Sequence, residues 1–227
     1  MDGLRALLWD VDGTLAETER DGHLVAFNQA FAEQGLAWRW DEARYATLLR
    51  VTGGRERLLH DMAARPDAPA DPAEREALAR ALHAIKNRRY AQRVEAGLVQ
   101  PRPGVLRLIG EARAAGARQA IVTTTSRDNV EALLGRLLGA GWRETFEVCI
   151  CGEDVERKKP DPQAHRLALD RLGLPADAAL ALEDSEVGLA AARAAGLAVL
   201  LTPSVFFPGR PDSIARAWAV CADLDRG

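Results

Sequence analysis

Short apolar runs alternate with longer amphipathic segments along most of this chain. Five of the runs predict buried β-strands, at residues 4–9, 119–123, 148–151, 179–182 and 198–201. Segments with apolar residues at helical spacing lie between or beside them, for example at 105–115, 127–138, 162–172 and 187–195. Continuous apolar runs that alternate with helices are typical of a parallel sheet with helices on both faces. The pattern therefore predicts an α/β fold with a doubly wound, mostly parallel sheet.

The stretch after the first predicted strand breaks this alternation. From residue 17 to residue 93 the apolar spacing is helical, with candidate helices at 23–34, 40–49, 56–64 and 72–92. Roughly 75 residues without a strand are too many for a single crossover connection. We therefore expect an α-helical domain at 17–93, inserted into an α/β core that is formed by 1–16 and 94–227.

Composition and charge narrow the class of partner. The 227 residues carry a net charge of −3, with 48% apolar and 28% charged residues, which is ordinary for a globular protein. With a pI near 5.9, we expect no general affinity for nucleic acid or for a membrane surface. No apolar run reaches the length of a membrane-spanning helix. No exposed apolar stripe stands out, and we expect a monomer.

The three cysteines do not form a recognisable framework. Cys149 and Cys151 are two residues apart in a predicted strand, so they would share one face of it. The spacing is not CxxC, and the sequence therefore indicates neither zinc binding nor redox chemistry. Free thiols fit a reducing compartment, and Arg5 interrupts the first apolar run, which argues against a secretory signal. We expect a cytoplasmic protein.

Polar residues with a common chemistry follow the predicted strands. The first strand leads into Asp10-Val11-Asp12-Gly13-Thr14, the second into Thr123-Thr124-Thr125-Ser126 and the fourth into Glu183-Asp184-Ser185, while Lys158-Lys159-Pro160 lies between the third and the fourth. In open α/β sheets, ligands bind beyond the carboxyl ends of the strands. We therefore expect these four segments to converge on one edge of the sheet.

The chemistry of these segments suits a phosphate ester. The four carboxylates would repel one another strongly without a cation, and hard oxygen ligands suit Mg²⁺. The threonine hydroxyls and backbone N–H groups suit phosphate oxygens, and Lys159 adds a fixed positive charge. One carboxylate can attack phosphorus while another transfers protons. Each segment alone also fits a plain turn or a helix cap, but all four at strand ends favour a phosphoryl-transfer site.

The four segments resemble the motifs of the haloacid dehalogenase superfamily of phosphotransferases, which has a Rossmann-like core. The resemblance covers essentially the whole chain. It implies that Asp10 is the nucleophile and that Asp12 is the general acid and base. It also implies that Thr123, Thr124 and a catalytic Lys159 hold the phosphoryl group. The implied Mg²⁺ site uses Asp10, Asp184 and the backbone carbonyl of Asp12, with Glu183 in support. The second aspartate, Asp12, argues against halide displacement, because the dehalogenase branch usually lacks it.

The predicted insert resembles the helical cap of the subclass I members. Segments 17–23, 52–57 and 86–90 are similar to those of CbbY-type phosphatases, which hydrolyse xylulose 1,5-bisphosphate. Cations must meet the second phosphate of a bisphosphate. The candidates for substrate contact are Arg55, Arg57 and Lys86 as cations, the backbone of Gly54, and Glu17 and His23 for sugar hydroxyls.

Several alternatives stay open at the level of sequence. Arg57 and Arg88 also fit an ordinary charged helix face, which we favour for both, and His23 also fits a packed histidine. A β-phosphoglucomutase-like mutase or a phosphoglycolate phosphatase would use the same core. A regulatory protein on an inactive scaffold is a further alternative, against which the intact Asp10, Asp12, Lys159 and Asp184 argue.

Overall fold

The computed structural model describes residues 3–225 and divides the chain into two compact units. The first unit contains the residues up to Thr18 and those from Gln100 onwards, and the second is Glu19–Val99. The predicted insert, 17–93, begins and ends a few residues earlier than the observed unit. The last long helix of this unit continues past residue 93, through the buried Val94, to Glu95.

The first unit is built on a six-stranded parallel sheet with the order β3-β2-β1-β4-β5-β6. Its strands are β1 (Ala6–Trp9), β2 (Arg118–Val122), β3 (Val148–Ile150), β4 (Ala179–Glu183), β5 (Ala198–Leu201) and β6 (Ala219–Val220). The predicted α/β fold class is confirmed. The two-residue β6 was missed, although it lies within the apolar run at 217–222.

Strand β1 lies in the centre of the sheet and is buried along its whole length. Its first residue, Ala6, is aligned with Arg118 of β2 on one side and with Ala179 of β4 on the other. Continuous burial explains why this strand has an unbroken apolar sequence rather than an alternating one. The parallel arrangement brings the carboxyl ends of β1, β2 and β4 to the same edge, where the polar segments follow.

Among the described residues of this unit, six α-helices accompany the sheet. They are α5 (Val105–Ala114), α6 (Arg127–Leu138), α7 (Trp142–Thr145), α8 (Gln163–Leu172), α9 (Glu186–Ala194) and α10 (Pro211–Ile214). Residues of α8 and α9, including Ala168 and Leu189, pack with Leu8 of β1 and Val199 of β5 in one apolar core. The amphipathic segments predicted at 105–115, 127–138, 162–172 and 187–195 correspond to α5, α6, α8 and α9.

The second unit is helical, as predicted. A π-helical segment at Glu19–Leu24 leads into α1 (Val25–Glu33), which is followed by α2 (Glu42–Leu48), α3 (Gly54–Ala63) and α4 (Pro72–Glu95). An aromatic cluster forms its core: the ring of Phe27 lies 4.7 Å from that of Trp40 and 6.2 Å from that of Tyr45, centroid to centroid. Such pairs add to the stability that apolar burial gives.

A buried carboxylate organises one end of the helical unit. Asp61 of α3 accepts hydrogen bonds from the indole N–H of Trp40 at 2.8 Å, from Nε of Arg44 at 3.0 Å and from Nε of Arg65 at 2.7 Å. Burial raises the pKa of Asp61, but the hydrogen bonds from Arg65, Arg44 and Trp40 outweigh it and hold the pKa below its usual value.

Among the described residues, none of the helices has both the length and the apolar character that a bilayer crossing needs.

Candidate active site

A buried lysine joins three of the sheet's strands at their carboxyl ends. Lys159, which precedes α8, donates hydrogen bonds from Nζ to Asp10 Oδ1 at 2.7 Å and to Glu183 Oε1 at 2.8 Å. Its third bond goes to the backbone carbonyl of Val122, also at 2.8 Å. Asp10 follows β1, Val122 ends β2 and Glu183 ends β4. The ammonium therefore uses all three of its donors to fix the convergence that the sequence predicted.

Three buried carboxylates surround this lysine. Ligand oxygens of Asp10, Glu183 and Asp184 all lie within 4.8 Å of one another. Gly13 makes this approach possible: its φ is +81°, and a Cβ atom there would lie 2.1 Å from Oδ2 of Asp184. A side chain at position 13 would thus be both strained and in collision with the cluster. On its other side, Asp184 Oδ2 accepts a hydrogen bond from Ser204 Oγ at 2.6 Å.

The electrostatics of the cluster are dominated by burial. Burial raises the pKa of Asp10 to about 7, helped by the charge of Glu183 and opposed by Lys159. Burial and the charge of Asp10 raise the pKa of Asp184 well above its usual value. Although burial lowers the pKa of Lys159, attraction to Asp10 and Glu183 outweighs it and raises that pKa overall. One ammonium does not balance three ionised carboxylates, so without a further cation the raised pKa values of Asp10 and Asp184 favour their protonated forms.

The donor set fits a divalent metal ion. Oxygens from three carboxylates are the hard ligands that Mg²⁺ prefers, and their surplus negative charge needs a further cation. Glu183 also has a buried oxygen, Oε2, with no hydrogen-bond donor among the described residues. Of the predicted metal ligands, Asp10, Glu183 and Asp184 meet in this cluster. The side chain of Asp12 instead accepts a hydrogen bond at Oδ1 from Thr18 Oγ1, 2.5 Å away.

The predicted phosphate-binding threonines lie directly after β2. Thr123 is buried, its backbone N–H donates to the Ile150 carbonyl at 2.9 Å, and its Oγ1 accepts from the backbone N–H of Thr125 at 3.2 Å. Thr124 is half-buried at the same turn. This turn leads into α6 and lies at the sheet edge where Lys159 contacts Val122.

A buried arginine that the sequence did not single out supports the loop after β1. Arg102 donates hydrogen bonds to the carbonyls of Gly13 and Thr202, to that of Pro203 at 3.0 Å, and to that of Ala222 at 2.9 Å. Its Nε also lies 3.4 Å from a carboxylate oxygen of Glu17, a predicted substrate-binding residue. One guanidinium thus ties the Asp12-Gly13 turn to Thr202, Pro203 and Ala222 near the other end of the sequence.

His165 is a second buried residue that supports the cluster, through Glu183. It is fully buried on α8, and its Nε2 lies 3.1 Å from Oε1 of Glu183. Burial, together with the charge of Lys159, lowers its pKa. The imidazole is therefore neutral near pH 7, and its Nε2–H donates to the carboxylate. A polar residue on the apolar face of a helix was the signal in the sequence.

In the helical unit, two predicted substrate residues are buried beside the same ring. The imidazole of His23 lies 4.2 Å from the ring of Tyr90, centroid to centroid, and Nζ of Lys86 lies 5.4 Å from that ring. Lys86 also approaches the ring of Phe27 at 5.3 Å. Burial of an ammonium over aromatic faces is a cation–π arrangement, and it is unusual for a lysine on a surface helix.

The three arginines that the sequence analysis considered in the helical unit differ in their burial. Arg55 is exposed and pairs with Glu76 at 3.0 Å. The interpretation of Arg57 as part of a charged helix face is wrong: it is buried and donates to the Tyr45 hydroxyl at 2.9 Å. Arg88 does lie on an exposed face, paired with Glu33.

Gly54, the last of the predicted substrate residues, begins α3. A Cβ atom there would lie 2.8 Å from Nε2 of His83 on α4, within the same helical unit. Packing of α3 against α4 is therefore one reason for glycine at this position.

Comparison with known proteins gives consistent matches. Residues 4–196 match the family model of the haloacid dehalogenase-like hydrolases. Protein CbbY of Rhodobacter capsulatus is 47% identical over 96% of this chain and 92% of its own length.

The crystal structure of CbbY from Rhodobacter sphaeroides in complex with phosphate matches with a TM-score of 0.90 and 40% identity, covering 98% of this chain and 96% of that one. A mutant of that CbbY in complex with xylulose-(1,5)bisphosphate matches with the same TM-score and coverage, at 39% identity.

Proposed function

The chain belongs to the haloacid dehalogenase-like hydrolases, and we propose that it is a Mg²⁺-dependent phosphatase that acts on xylulose 1,5-bisphosphate. The observation that carries the proposal is the Lys159 network. It holds a buried carboxylate, Asp10, beside two more carboxylates at the edge of the sheet. Support for the substrate comes from the related CbbY structure, which contains that bisphosphate.

In the proposed mechanism, Asp10 attacks phosphorus and becomes an aspartyl-phosphate. Lys159 fixes Oδ1 of this carboxylate before the attack and offsets charge on the phosphoryl oxygens. Thr123 and Thr124 donate to those oxygens. Asp10, Asp184 and the backbone carbonyl of Asp12, with Glu183 in support, would hold a Mg²⁺ ion, which would supply positive charge against the developing negative charge.

Asp12 moves the protons in both halves of the reaction. It gives a proton to the leaving sugar oxygen when the phosphorus–oxygen bond breaks. It then takes a proton from the water that attacks the phosphorus of the aspartyl-phosphate, and Asp10 is regenerated. Its bond to the Thr18 hydroxyl holds the carboxylate in one orientation until substrate arrives.

Substrate selection belongs, in this proposal, to residues outside the Lys159 network. Lys86 and Arg55 supply positive charge for the second phosphate, Gly54 offers backbone N–H, and Glu17 and His23 bind sugar hydroxyls. Lys86 is buried over aromatic rings rather than exposed on a helix face, which supports a role for its ammonium group in binding substrate. We further propose that the enzyme is a cytoplasmic monomer.

A phosphate-release screen tests the proposal. The enzyme is incubated with xylulose 1,5-bisphosphate, phosphoglycolate, a hexose 1-phosphate and an aryl phosphate, each with Mg²⁺ and with a chelator. We expect the highest kcat/KM for the xylulose bisphosphate, loss of turnover in the chelator, and no turnover by an Asp10→Asn variant.

Other outcomes of the screen point to the alternatives. A preference for phosphoglycolate would overturn the substrate assignment but not the chemistry. Isomerised hexose phosphate without phosphate release would indicate a mutase. If no phosphate ester is hydrolysed with Mg²⁺, the chain is a binding protein and the proposal is wrong.

A further inference from the structure

Two thiols lie in contact at the end of β3. Cys149 belongs to the strand and Cys151 follows it, and their sulfur atoms are 3.5 Å apart. Cys149 is partly exposed, whereas Cys151 is fully buried. A disulfide requires the sulfurs to approach to about 2.05 Å, so closure of this pair requires side-chain rotation and a backbone shift at Cys151. The CxC spacing is not a redox motif, and the short distance between the two sulfur atoms becomes visible only in the structure.

The surroundings make the two thiols unequal. The hydrogen bond with Cys151 lowers the pKa of the Cys149 thiol, with a further contribution from the charge of Arg127. The same hydrogen bond, together with burial, raises the pKa of Cys151. Because the thiolate is the nucleophile, Cys149 is the sulfur that reacts first. It is also the more accessible of the two.

The dithiol is joined to the turn that carries Thr123 and Thr124. The backbone N–H of Gly152 donates to the Thr125 carbonyl at 2.9 Å, and a Cβ atom at Gly152 would lie 2.4 Å from the Thr124 carbonyl oxygen. The strand itself is linked to the same turn, since Thr123 N–H donates to the Ile150 carbonyl. A backbone shift at Cys151 is therefore transmitted to this turn.

We propose that Cys149 and Cys151 form a dithiol modification site, which hydrogen peroxide oxidises to an intramolecular disulfide that disturbs the Thr123–Ser126 turn. The Cys149 thiolate attacks one peroxide oxygen, a sulfur–oxygen bond forms, and hydroxide leaves and is protonated to water. The Cys151 sulfur then attacks the Cys149 sulfur. The sulfur–oxygen bond breaks, and the departing oxygen takes the Cys151 proton and leaves as a second water.

The consequence for catalysis rests on the proposed function. Closure of the sulfurs pulls Cys151 towards Cys149 and moves the Gly152 N–H that the Thr125 carbonyl accepts. Displacement of phosphate-binding groups by about 1 Å costs up to about a hundredfold in rate. We expect oxidised enzyme to lose about tenfold or more in kcat/KM and to recover it after reduction with a dithiol reductant.

The experiment uses the full-length enzyme and measures the modification separately from activity. After peroxide treatment and alkylation, trypsin releases both cysteines in one peptide, residues 144–157, whereas Cys221 lies in another. We expect the 144–157 peptide to lose the mass of two hydrogen atoms and to resist alkylation. The Cys221→Ser variant should behave like wild type. The Cys149→Ser and Cys151→Ser variants should keep their activity in peroxide or lose it only through overoxidation that a thiol does not reverse.

Some outcomes would overturn the proposal. A peptide that stays fully alkylated, or one that carries only sulfinic acid, shows that the sulfurs do not close. A disulfide with unchanged kcat/KM shows that it does not disturb the turn.

Two further measurements keep the test decisive. If the serine variants fail to fold, a trivalent arylarsenical, which bridges two close thiols, provides the check on wild type. A single arsenical adduct on the 144–157 peptide supports the dithiol pair. Absence of that adduct contradicts it. Should the reduced enzyme hydrolyse no phosphate ester, the proposed function has failed, while the peptide mass still decides the dithiol chemistry.

Discussion

Asp10 should lower the stability of the folded protein when no metal ion is bound. Burial, reinforced by the charge of Glu183, raises its pKa from 3.8 to about 7 in spite of Lys159. An Asp10→Asn variant keeps an oxygen for the Lys159 hydrogen bond but carries no charge. We therefore expect the variant to be more stable than wild type in the presence of a chelator, although it has no activity.

The size and the sign of the effect follow from the pKa. Because the pKa is raised in the folded state, the folded protein holds a proton that the unfolded chain releases between about pH 4 and pH 7. The free energy of unfolding therefore falls as the pH rises through this range, and the penalty is fully present above the folded pKa. A difference of about 3 pKa units corresponds to about 4 kcal/mol. We expect a gain of roughly 2–4 kcal/mol in Asp10→Asn, since relaxation around the site reduces the full value.

Urea unfolding measures this prediction directly. Tryptophan fluorescence follows wild type and Asp10→Asn at about pH 8 and about pH 5, with chelator and with Mg²⁺. The free energy of unfolding of the variant should exceed that of wild type by a large margin at the higher pH with chelator, and the difference should shrink at the lower pH. Mg²⁺ should stabilise wild type more than the variant. If Asp10→Asn is less stable than wild type with chelator at the higher pH, the buried charge of Asp10 does not destabilise the folded protein.

Three further predictions concern other parts of the molecule. Arg55→Ala should raise KM for a sugar bisphosphate more than for a monophosphate. The control variant Arg88→Ala removes a comparable exposed cation and should leave both KM values unchanged. Equal effects of Arg55→Ala on both substrates would contradict the assignment of Arg55 to the second phosphate. Asp61→Ala should lower the free energy of unfolding, measured in urea, by about 3 kcal/mol, because the buried indole N–H of Trp40 loses its acceptor. A decrease below about 1 kcal/mol would show that water replaces the carboxylate as the acceptor. Arg102→Lys should lower kcat at least about tenfold with a smaller change in KM, since one ammonium cannot serve four carbonyls; a wild-type kcat would show that the loop after β1 holds its position without the guanidinium.

Much of the core could be predicted because its signals are local. Five buried strands appear as apolar runs, and parallel strands must bring the segments that follow them to one edge. That is why Asp10, Lys159, Glu183 and Asp184 could be grouped before any coordinates were known. The convergence of these residues on one buried cluster agrees with that grouping.

What the sequence did not reveal depends on partners far away in the chain. Arg102 occupies a linker like any other charged residue, and its four carbonyl acceptors come from turns that only the fold assembles. Arg57 has the spacing of an exposed helix position but meets the Tyr45 hydroxyl in the interior. Charge patterns show which residues are ionised, and they do not show which of them find a buried partner.

The central position of β1 has a consequence for how the protein is made. This strand is synthesised first, yet its two neighbours begin only at Arg118 and Ala179. Until the ribosome has added those segments, both edges of the most apolar strand lack their pairing partners, and long-range pairing of this kind is slow and prone to aggregation. An amino-terminal fragment that contains Asp10 and the entire helical unit would therefore hold this carboxylate without the neighbouring strands that place it.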